Sequence, residues 1–290
     1  MSSDLISAVA RSLDSVDAAE EECIFDHLGT TALDLYNSTE INPPIISFIK
    51  NLDDLLGGGI PLGCVTEICG CSCAGKTQLA LQLTADVFIP LSLGGTGGKA
   101  LYIDTQGDFS TTRLSDMVSA VLEHLHASTN SYPNLSFEYI MNNTTVVKCF
   151  DWIELLAVVH TLDSFIKDDS DIKLIVIDSI ATVFRHVFND DYVARARILC
   201  ELMAVLRTVA YTHNVAIVVT NQLLSKYNDP NSLELIPALG ETFGQYCANR
   251  LVIESMQNNP SGRVISLVKS TTHESGTAMF EIRKEGCRGV

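Results

Sequence analysis

The sequence predicts an α/β fold in which a mainly parallel β-sheet is flanked by helices. The first observation behind this prediction is that short apolar runs alternate with helical patterns from Ile45 onward, which is typical of parallel sheets. The second is that the last part of the chain carries strand patterns with no helix between them, so we expect antiparallel strands at one edge. With 290 residues and 47% hydrophobic composition, the chain is long enough to bury one large core.

The alternating part contains five strand patterns and four helical patterns. The strands are predicted at Val65–Cys69, Ala100–Asp104, Thr145–Phe150, Leu174–Asp178 and Val215–Thr220. The helices are predicted at Thr77–Phe88, Thr111–His126, Trp152–Lys167 and Asp191–His213. The third helix opens on a capping box, with Asp151 as N-cap and Glu154 three residues later. Three further strands are predicted at Arg250–Ser255, Arg263–Lys269 and Ala278–Arg283. Ligands of such sheets bind at the carboxyl ends of the strands, so we expect a functional site there.

The N-terminal segment differs from this core in charge and pattern. Residues 1–36 are predicted to form a short acidic helical segment, because apolar positions recur there at helical spacing. Residues 1–45 carry nine acidic side chains and one basic side chain. Residues 37–44 are predicted to be a linker, since Pro43-Pro44 favours extended backbone. The core is therefore expected to span residues 45–290.

Composition argues against several classes of protein. The net charge of −16 is unsuited to coating nucleic acid by bulk electrostatics, while local basic sites leave DNA contact through a small surface open. No apolar run approaches the ~18 residues of a membrane span, and the N-terminus lacks the pattern of a secretory signal. We therefore expect a soluble, intracellular protein with no membrane partner, whose nine cysteines are reduced.

The most informative motif follows the first predicted strand and fits the pattern G-x-x-x-x-G-K-[ST]. Its residues are Gly70, Cys71, Ser72, Cys73, Ala74, Gly75, Lys76 and Thr77. A loop of this spacing wraps a polyphosphate with backbone N–H groups at a helix N-terminus. Its lysine reaches the terminal phosphates, and its hydroxyl residue supplies a Mg²⁺ ligand. The sequence therefore predicts a site for ATP and Mg²⁺ at these residues.

The same segment contains a C-x-C-x-C run, formed by Cys69, Cys71 and Cys73, which suggests a metal site as an alternative. Zinc sites usually combine C-x2-C pairs with a second, distant pair, and we find no such pair in the sequence. A phosphate-binding loop acts through its backbone and tolerates small side chains at its variable positions. That explanation accounts for Cys71 and Cys73 without a metal.

A second strand supports the nucleotide site. The segment from Lys173 to Ser179 is an apolar run that ends in an acid, Asp178. A carboxylate at the end of a buried strand is costly unless it is solvated, paired or linked to a metal ion. Because Asp178 lies about 100 residues after a phosphate-binding loop, we expect it to hold the Mg²⁺ shell together with Thr77.

Five segments, in order along the chain, resemble one family. They are LDDLLGGGIPLG (Leu52–Gly63), TEICG-x4-GKTQL (Thr66–Leu79), GGKALYIDTQGDF (Gly97–Phe109), TNQ (Thr220–Gln222) and PALGETFG (Pro237–Gly244). From about Ile45 to Gly289 the chain is similar to the RecA-family recombinases of eukaryotes, and most similar to their C-type paralogues. The resemblance implies a RecA-like P-loop NTPase core.

The resemblance also implies a role and partners. A paralogue of this kind assists homologous recombination and the repair of double-strand breaks, within a complex that acts on recombinase filaments on single-stranded DNA. The expected partners are other recombinase paralogues, the main strand-exchange recombinase, and single-stranded DNA that this chain binds weakly on its own. The expected location is the nucleus, with the cytoplasm as a second compartment.

One position departs from the family pattern. Where the family has D-T-E-G, this chain has Asp104-Thr105-Gln106-Gly107, and the family's glutamate orients and deprotonates the attacking water. Glutamine can hold a water by hydrogen bonding but cannot accept its proton at neutral pH. A positioned base contributes ~10²–10⁴-fold, so we expect ATP binding with slow hydrolysis. The alternatives are that Asp108 substitutes as the base, or that Gln106 is only a tolerated polar residue at the strand end.

The resemblance assigns two further sets of residues. Gln222 matches the family's γ-phosphate sensor, with a plain strand-end amide as the alternative. The loops after the Asp178 and Gln222 strands face single-stranded DNA in the family. The basic candidates in these loops are Arg185, Arg195, Arg197 and Lys226. The second loop, Leu223–Leu239, has one base opposed by two acids, which favours weak DNA contact.

Three other functions are compared with the leading one. A self-sufficient strand-exchange recombinase is disfavoured by Gln106 and by the base-poor second loop. A P-loop small-molecule kinase is disfavoured because the family segments occur in order and no further basic phosphate-binding cluster is evident. A nucleotide-bound scaffold would differ from the leading function mainly in whether ATP changes its affinity for partners.

Overall fold

The structure is a computed structural model that describes residues 31–33, 43–128, 135–184, 192–229 and 232–290. The predicted helical segment of residues 1–36 lies outside the described residues except for Thr31–Leu33. The predicted linker of residues 37–44 lies outside them except for Pro43 and Pro44. All the elements below belong to one unit, Pro43–Val290.

The described residues form a sheet with a parallel centre and an antiparallel edge. Its strands are β1 (Val65–Gly70), β2 (Lys99–Asp104), β3 (Thr144–Lys148), β4 (Ile172–Asp178), β5 (Ala216–Asp229), β6 (Ser232–Pro237), β7 (Asn249–Ser255), β8 (Gly262–Lys269), β9 (Gly276–Arg283) and β10 (Gly286–Gly289). They are arranged in the order β10-β9-β8-β7-β1-β5-β4-β2-β3, and β6 pairs with β5. Strands β7, β1, β5, β4, β2 and β3 run parallel to one another. Strands β8, β9 and β10 extend the sheet beyond β7 in antiparallel pairs, so the predicted fold class is confirmed.

The longer helices begin and end within two residues of the predicted positions. The helices are α1 (Lys50–Leu55), α2 (Lys76–Asp86), α3 (Thr111–Ser128), α4 (Phe137–Asn142), α5 (Trp152–Asp168), α6 (Ile180–Phe184), α7 (Tyr192–His213) and α8 (Glu241–Gln245). Asp151 caps α5 as predicted, because its Oδ1 accepts a hydrogen bond from the Glu154 N–H at 2.8 Å. The Glu154 carboxylate accepts from the Phe150 N–H, one residue before the cap. In the part of the chain that the structure describes, no helix has the length and apolarity needed to cross a membrane.

The sheet buries side chains on both of its faces. On one face, Ile68 and Val176 of the sheet pack with Leu83 and Val118 of α2 and α3. On the other face, strand residues such as Ile177 belong to a second cluster that includes apolar side chains of α5 and α7. Burial on both faces is the reason that β4 and the first part of β5 appear in the sequence as nearly continuous apolar runs. The core therefore holds the carboxyl ends of the central strands in fixed register.

The main difference from the prediction concerns β5. The sequence predicts a strand that ends at Thr220, whereas β5 leaves the parallel sheet after Gln222 and continues to Asp229. Its outer part pairs antiparallel with β6, so most of the predicted loop Leu223–Leu239 is a two-stranded ribbon. The sequence Asn-Asp-Pro-Asn at residues 228–231, which overlaps the end of β5, is typical of a turn.

Candidate nucleotide-binding site

The carboxyl ends of β1, β4 and β2 lie at the same edge of the sheet as the point where their neighbour β5 leaves it. Gly70 at the end of β1 is the register partner of Gln222 in β5. Asp178 at the end of β4 is level with Asp104 at the end of β2, two residues before Gln106. The structure therefore brings the predicted phosphate-binding loop, sensor, Mg²⁺ acid and water-positioning loop to one edge.

The predicted phosphate-binding loop joins β1 to α2. A Cβ atom at Gly70 would lie 2.9 Å from the carbonyl oxygen of Ile253, so this position has no room for a side chain. Gly75, the N-cap of α2, has a φ of +108°, which strains any L side chain. Within the described residues, no side-chain hydrogen bond caps this helix end. The N–H groups in the first turn of α2 are therefore available to an anion held by the loop.

Lys76 folds back across this loop. Its Nζ donates hydrogen bonds to the carbonyl oxygens of Gly70 at 2.9 Å and Cys71 at 2.8 Å. Burial lowers the pKa of Lys76, and the nearby Asp178 carboxylate opposes that shift. The ammonium group therefore lies at the loop, within electrostatic reach of Asp178. Thr77, the predicted Mg²⁺ ligand, is the next residue of α2 and is half-buried.

Arg263 of β8 supports the loop from the antiparallel part of the sheet. Its Nε donates to the carbonyl oxygen of Ala74 at 2.8 Å. Its Nη1 donates to the carbonyl oxygens of Pro260 at 2.7 Å and Gly262 at 2.8 Å, which fix the guanidinium in place. The prediction from sequence missed Arg263, because 189 residues separate it from Ala74 and no local pattern connects them.

Asp178 is held by two hydroxyl groups from neighbouring strands. Its Oδ2 accepts from the Tyr102 hydroxyl at 2.7 Å, and its Oδ1 accepts from the Thr220 hydroxyl. Burial raises the pKa of Tyr102 well above its ordinary value, and the Asp178 carboxylate adds to the shift. Tyr102 therefore stays protonated and donates to the carboxylate. Each Asp178 oxygen keeps a further lone pair for a cation or its water. The sequence indicated Asp178 but neither hydroxyl partner.

Asp104 organises the loop that carries Gln106. Its Oδ1 accepts from the N–H groups of Gln106 at 3.1 Å, Gly107 at 2.8 Å and Asp108 at 3.3 Å. Its Oδ2 accepts from the N–H of Phe109 at 3.2 Å. Four backbone donors on one buried carboxylate give this turn a defined shape. The side chains of Gln106 and Asp108 are both exposed on it.

Thr105 ties that loop to the end of β4. Its hydroxyl donates to the carbonyl oxygen of Ser179 and accepts from the Ser179 N–H, both at 2.8 Å. The Thr105 N–H also donates to the carbonyl oxygen of Asp178 at 3.0 Å. The Gln106 loop is therefore fixed relative to the acid that is predicted to hold Mg²⁺.

A buried polar chain links the next strands to Gln222. Arg250 Nε donates to Glu67 Oε2 at 2.6 Å, and Asn221 Nδ2 donates to Glu67 Oε1 at 2.7 Å. Asn221 Oδ1 then accepts from the Gln222 N–H at 2.8 Å. This Glu67 network, made of Glu67, Asn221, Arg250 and the Gln222 backbone, connects β7 and β1 to the predicted sensor in β5. Nothing in the sequence pattern indicated it.

The side chains and backbone at this edge fit Mg·ATP. The loop has glycine where a Cβ would meet backbone, an uncapped helix N-terminus and one ammonium group, which together suit a polyphosphate. Asp178 and Thr77 offer the oxygen ligands that Mg²⁺ prefers. Of the three cysteines in the C-x-C-x-C run, Cys69 is buried and Cys71 and Cys73 are exposed. Within the described ranges, no group of three or more His, Cys, Asp or Glu side chains could hold a metal ion.

The predicted DNA-contacting residues are only partly described. Arg195 and Arg197 lie in the first turns of α7, where Arg195 is half-buried and Arg197 is exposed. Residues two apart do not share a helix face, so the structure does not bring these two side chains together. Arg185 and the side chain of Lys226 lie outside the described residues.

Comparison with known proteins places this site in a family. The family model described as Rad51 matches residues 44–290, which include every residue of the site described above. The chain belongs to the Rad51 family. The resemblance to eukaryotic RecA-family recombinases and their C-type paralogues, predicted from the motifs, is confirmed.

Individual Rad51-family relatives agree with this assignment. The chain is 37% identical over 267 residues to DNA repair protein RAD51 homolog 3 of Cricetulus griseus, covering 89% of this chain and 72% of the relative. It is 37% identical over 271 residues to the protein of the same name from Dictyostelium discoideum, covering 90% and 70%. It is 31% identical over 279 residues to DNA repair and recombination protein RadA of Aeropyrum pernix, covering 94% and 81%.

Proposed function

We propose that this Rad51-family chain is a Mg·ATP-binding factor that assists DNA repair by homologous recombination and hydrolyses ATP slowly. The names of its relatives as DNA repair and recombination proteins support the general role. The observation that carries the nucleotide part is the shared edge, where Lys76 and Asp178 lie in place beside the loop of Gln106. An amide stands there instead of the family's glutamate.

Binding is assigned to the loop, Lys76, Thr77 and Asp178. The backbone N–H groups of the loop and of the first turn of α2 would hold phosphate oxygens. Lys76 now donates to neutral carbonyl oxygens, and a phosphate oxygen is the stronger acceptor because it is charged. Thr77 and Asp178 would hold Mg²⁺, which neutralises charge on the phosphates. Tyr102 and Thr220 keep the Asp178 carboxylate oriented.

Slow hydrolysis is assigned to Gln106. Its loop is fixed by Asp104 and Thr105, so the Gln106 amide can hold a water by hydrogen bonding. The amide cannot take the proton of that water. Loss of a positioned base slows hydrolysis ~10²–10⁴-fold, which corresponds to a barrier higher by roughly 3–5 kcal/mol. The ATP-bound state therefore persists, and partners recognise it as a lasting conformation.

Partners and location follow from the family. We place the chain in a complex with other recombinase paralogues and the main strand-exchange recombinase, in the nucleus with the cytoplasm as a second compartment. Single-stranded DNA is a partner that this chain binds weakly on its own, since the net charge is −16. Gln222 is the last residue of β5 in the parallel sheet and directly precedes the β5–β6 ribbon, so the ribbon is suited to relay the state of the nucleotide.

The test is nucleotide binding by purified protein. At an Mg·ATP concentration about 100-fold above the dissociation constant, the free energy of unfolding of the wild-type chain is expected to increase by about 2.7 kcal/mol. This raises the midpoint temperature of thermal unfolding by roughly 5 °C. Lys76→Ala is expected to lose most of this shift. Lys167→Ala, which changes an exposed lysine on α5 paired with Asp163, serves as the matched control and keeps the shift. No shift in the wild-type chain, or equal shifts in the two variants, would contradict the proposed site.

A further inference from the structure

The described cysteines fall into two groups by exposure. Cys71, Cys73 and Cys200 are exposed. The thiols of the others are buried or half-buried, and burial raises the pKa of Cys64 to about 11 and of Cys287 to about 12. Buried thiols with a raised pKa are poor nucleophiles. Among the described cysteines, chemistry that reaches thiols from solvent is therefore directed to Cys71, Cys73 and Cys200.

Two of the exposed cysteines lie in the phosphate-binding loop itself. Cys71 and Cys73 are separated only by Ser72, and Cys73 has a φ of +62°, an uncommon conformation for a residue with a side chain. The Cys71 carbonyl oxygen accepts from Lys76 Nζ at 2.8 Å and from the Ala74 N–H at 3.2 Å. The loop thus presents both thiols to solvent from a backbone that is held in place.

Two positively charged side chains lie close to this thiol pair. The Lys76 ammonium interacts electrostatically with both thiols. The Arg263 guanidinium donates to the carbonyl oxygen of Ala74, one residue after Cys73. Cys200 lies on α7, one turn after Arg197, and its sulfur accepts a hydrogen bond from the Tyr246 hydroxyl at 3.0 Å. A locally positive loop in a protein of net charge −16 attracts anionic reagents to Cys71 and Cys73 in particular.

We propose that Cys71 and Cys73 form a modification site for anionic low-molecular-weight disulfides, and that the mixed disulfide and the nucleotide exclude each other. The inference rests on the proposed function, because the exclusion requires that this loop binds ATP. The thiolate of either cysteine attacks one sulfur of the reagent, and a protein–reagent S–S bond forms as the reagent's own S–S bond breaks. The other half leaves as a thiolate and takes up the proton that the cysteine lost.

Exclusion follows from the size of the loop. Residues 71–75 separate β1 from α2, and their backbone must close around the phosphates. A glutathionyl group on Cys71 or Cys73 adds a tripeptide with its own carboxylates, which compete for the Lys76 ammonium. Because the coupling is reciprocal at equilibrium, bound Mg·ATP must shift the thiol–disulfide equilibrium of the loop away from the mixed disulfide by the same factor by which the modification weakens ATP binding.

The experiment treats the reduced full-length protein with oxidised glutathione, with and without saturating Mg·ATP, and follows each cysteine by peptide mass spectrometry. Cys71 and Cys73 are expected to react about tenfold faster than Cys200. If only the nucleotide-free loop reacts, saturating Mg·ATP slows these two cysteines at least about tenfold without changing Cys200. Cystamine, a cationic disulfide, is expected to show a smaller preference for the loop, as is oxidised glutathione at high salt. Loop thiols that react no faster than Cys200, or at rates independent of Mg·ATP, overturn the proposal.

Variants separate this inference from the proposed function. Treatment with oxidised glutathione is expected to lower ATP affinity at least about tenfold in the wild-type chain and in Cys200→Ser. In the double variant Cys71→Ser/Cys73→Ser, the affinities before and after treatment are expected to be equal, whatever the starting affinity is. If the untreated chain fails to bind ATP, the proposed function fails. If it binds ATP and treated wild-type protein binds equally well, the inference alone fails.

Discussion

Replacing Arg250 with methionine is expected to lower the free energy of unfolding by about 3–5 kcal/mol. Arg250 Nε lies 2.6 Å from Glu67 Oε2, the Glu67 side chain is fully buried, and 8% of the Arg250 side chain is exposed. Without the guanidinium, Glu67 retains Asn221 as its donor and becomes a buried, unpaired charge. The loss is large against the 5–15 kcal/mol that typically stabilises a native protein.

A double-mutant cycle measures this interaction. Urea unfolding of wild type, Glu67→Met, Arg250→Met and the double variant gives four free energies of unfolding. Because the double variant leaves no buried charge, we expect its loss to fall at least about 2 kcal/mol short of the sum of the two single losses. The reasoning would be refuted if either single variant lost less than about 1 kcal/mol of unfolding free energy, or if the loss in the double variant equalled the sum of the two single losses.

Gly244 provides an independent control on the same pair. A Cβ at Gly244 would overlap the guanidinium of Arg250, so Gly244→Ala must displace that side chain. Gly244→Ala is expected to lower the free energy of unfolding when Arg250 is present, and to lower it much less in the Arg250→Met background. An equal cost in both backgrounds would show that Gly244→Ala acts through something other than Arg250.

Three further predictions follow from single contacts. Burial raises the pKa of Asp53 from 3.8 to about 6, so its native state binds the proton more tightly than the unfolded chain. As the pH rises from 4 to 7, the free energy of unfolding of Asp53→Asn, measured in urea, should therefore increase by up to about 3 kcal/mol relative to that of wild type. A difference between the two proteins that does not change with pH would contradict this. Arg263→Met should weaken Mg·ATP binding about tenfold by calorimetry because Ala74 loses its donor; unchanged affinity would exclude a supporting role. Asp151→Ala should cost about 1 kcal/mol of unfolding free energy through the lost α5 cap, and no loss would argue against it.

The sequence was sufficient for the parts of the fold and site that depend on local pattern. The helices α2, α3, α5 and α7 are long enough for their period to be read, and buried parallel strands leave continuous apolar runs. The phosphate-binding loop is predictable because its chemistry resides in backbone geometry that glycine spacing reports. The position of Asp178 at this edge was predictable because parallel strands bring their carboxyl ends together, whereas Gln222 was indicated by the resemblance to the family.

The supporting contacts could not be read from the sequence because they join distant residues. Tyr102 and Asp178 are 76 residues apart, Arg250 and Glu67 are 183 apart, and Arg263 lies 189 residues from Ala74. Helices α1, α4, α6 and α8 have five or six residues, too few to show a helical period. The sequence predicts a loop at Leu223–Leu239, whereas most of these residues pair in the β5–β6 ribbon, which depends on β5 continuing beyond the parallel sheet.

The most direct test of the central claim is single-turnover ATP hydrolysis by wild type, Gln106→Glu and Asp108→Asn within the assembled complex. If the amide at Gln106 limits hydrolysis, Gln106→Glu restores a carboxylate on the loop held by Asp104 and raises the rate about tenfold or more. Asp108→Asn then leaves the slow wild-type rate nearly unchanged. Fast wild-type hydrolysis that is lost in Asp108→Asn and unaffected by Gln106→Glu would contradict the account.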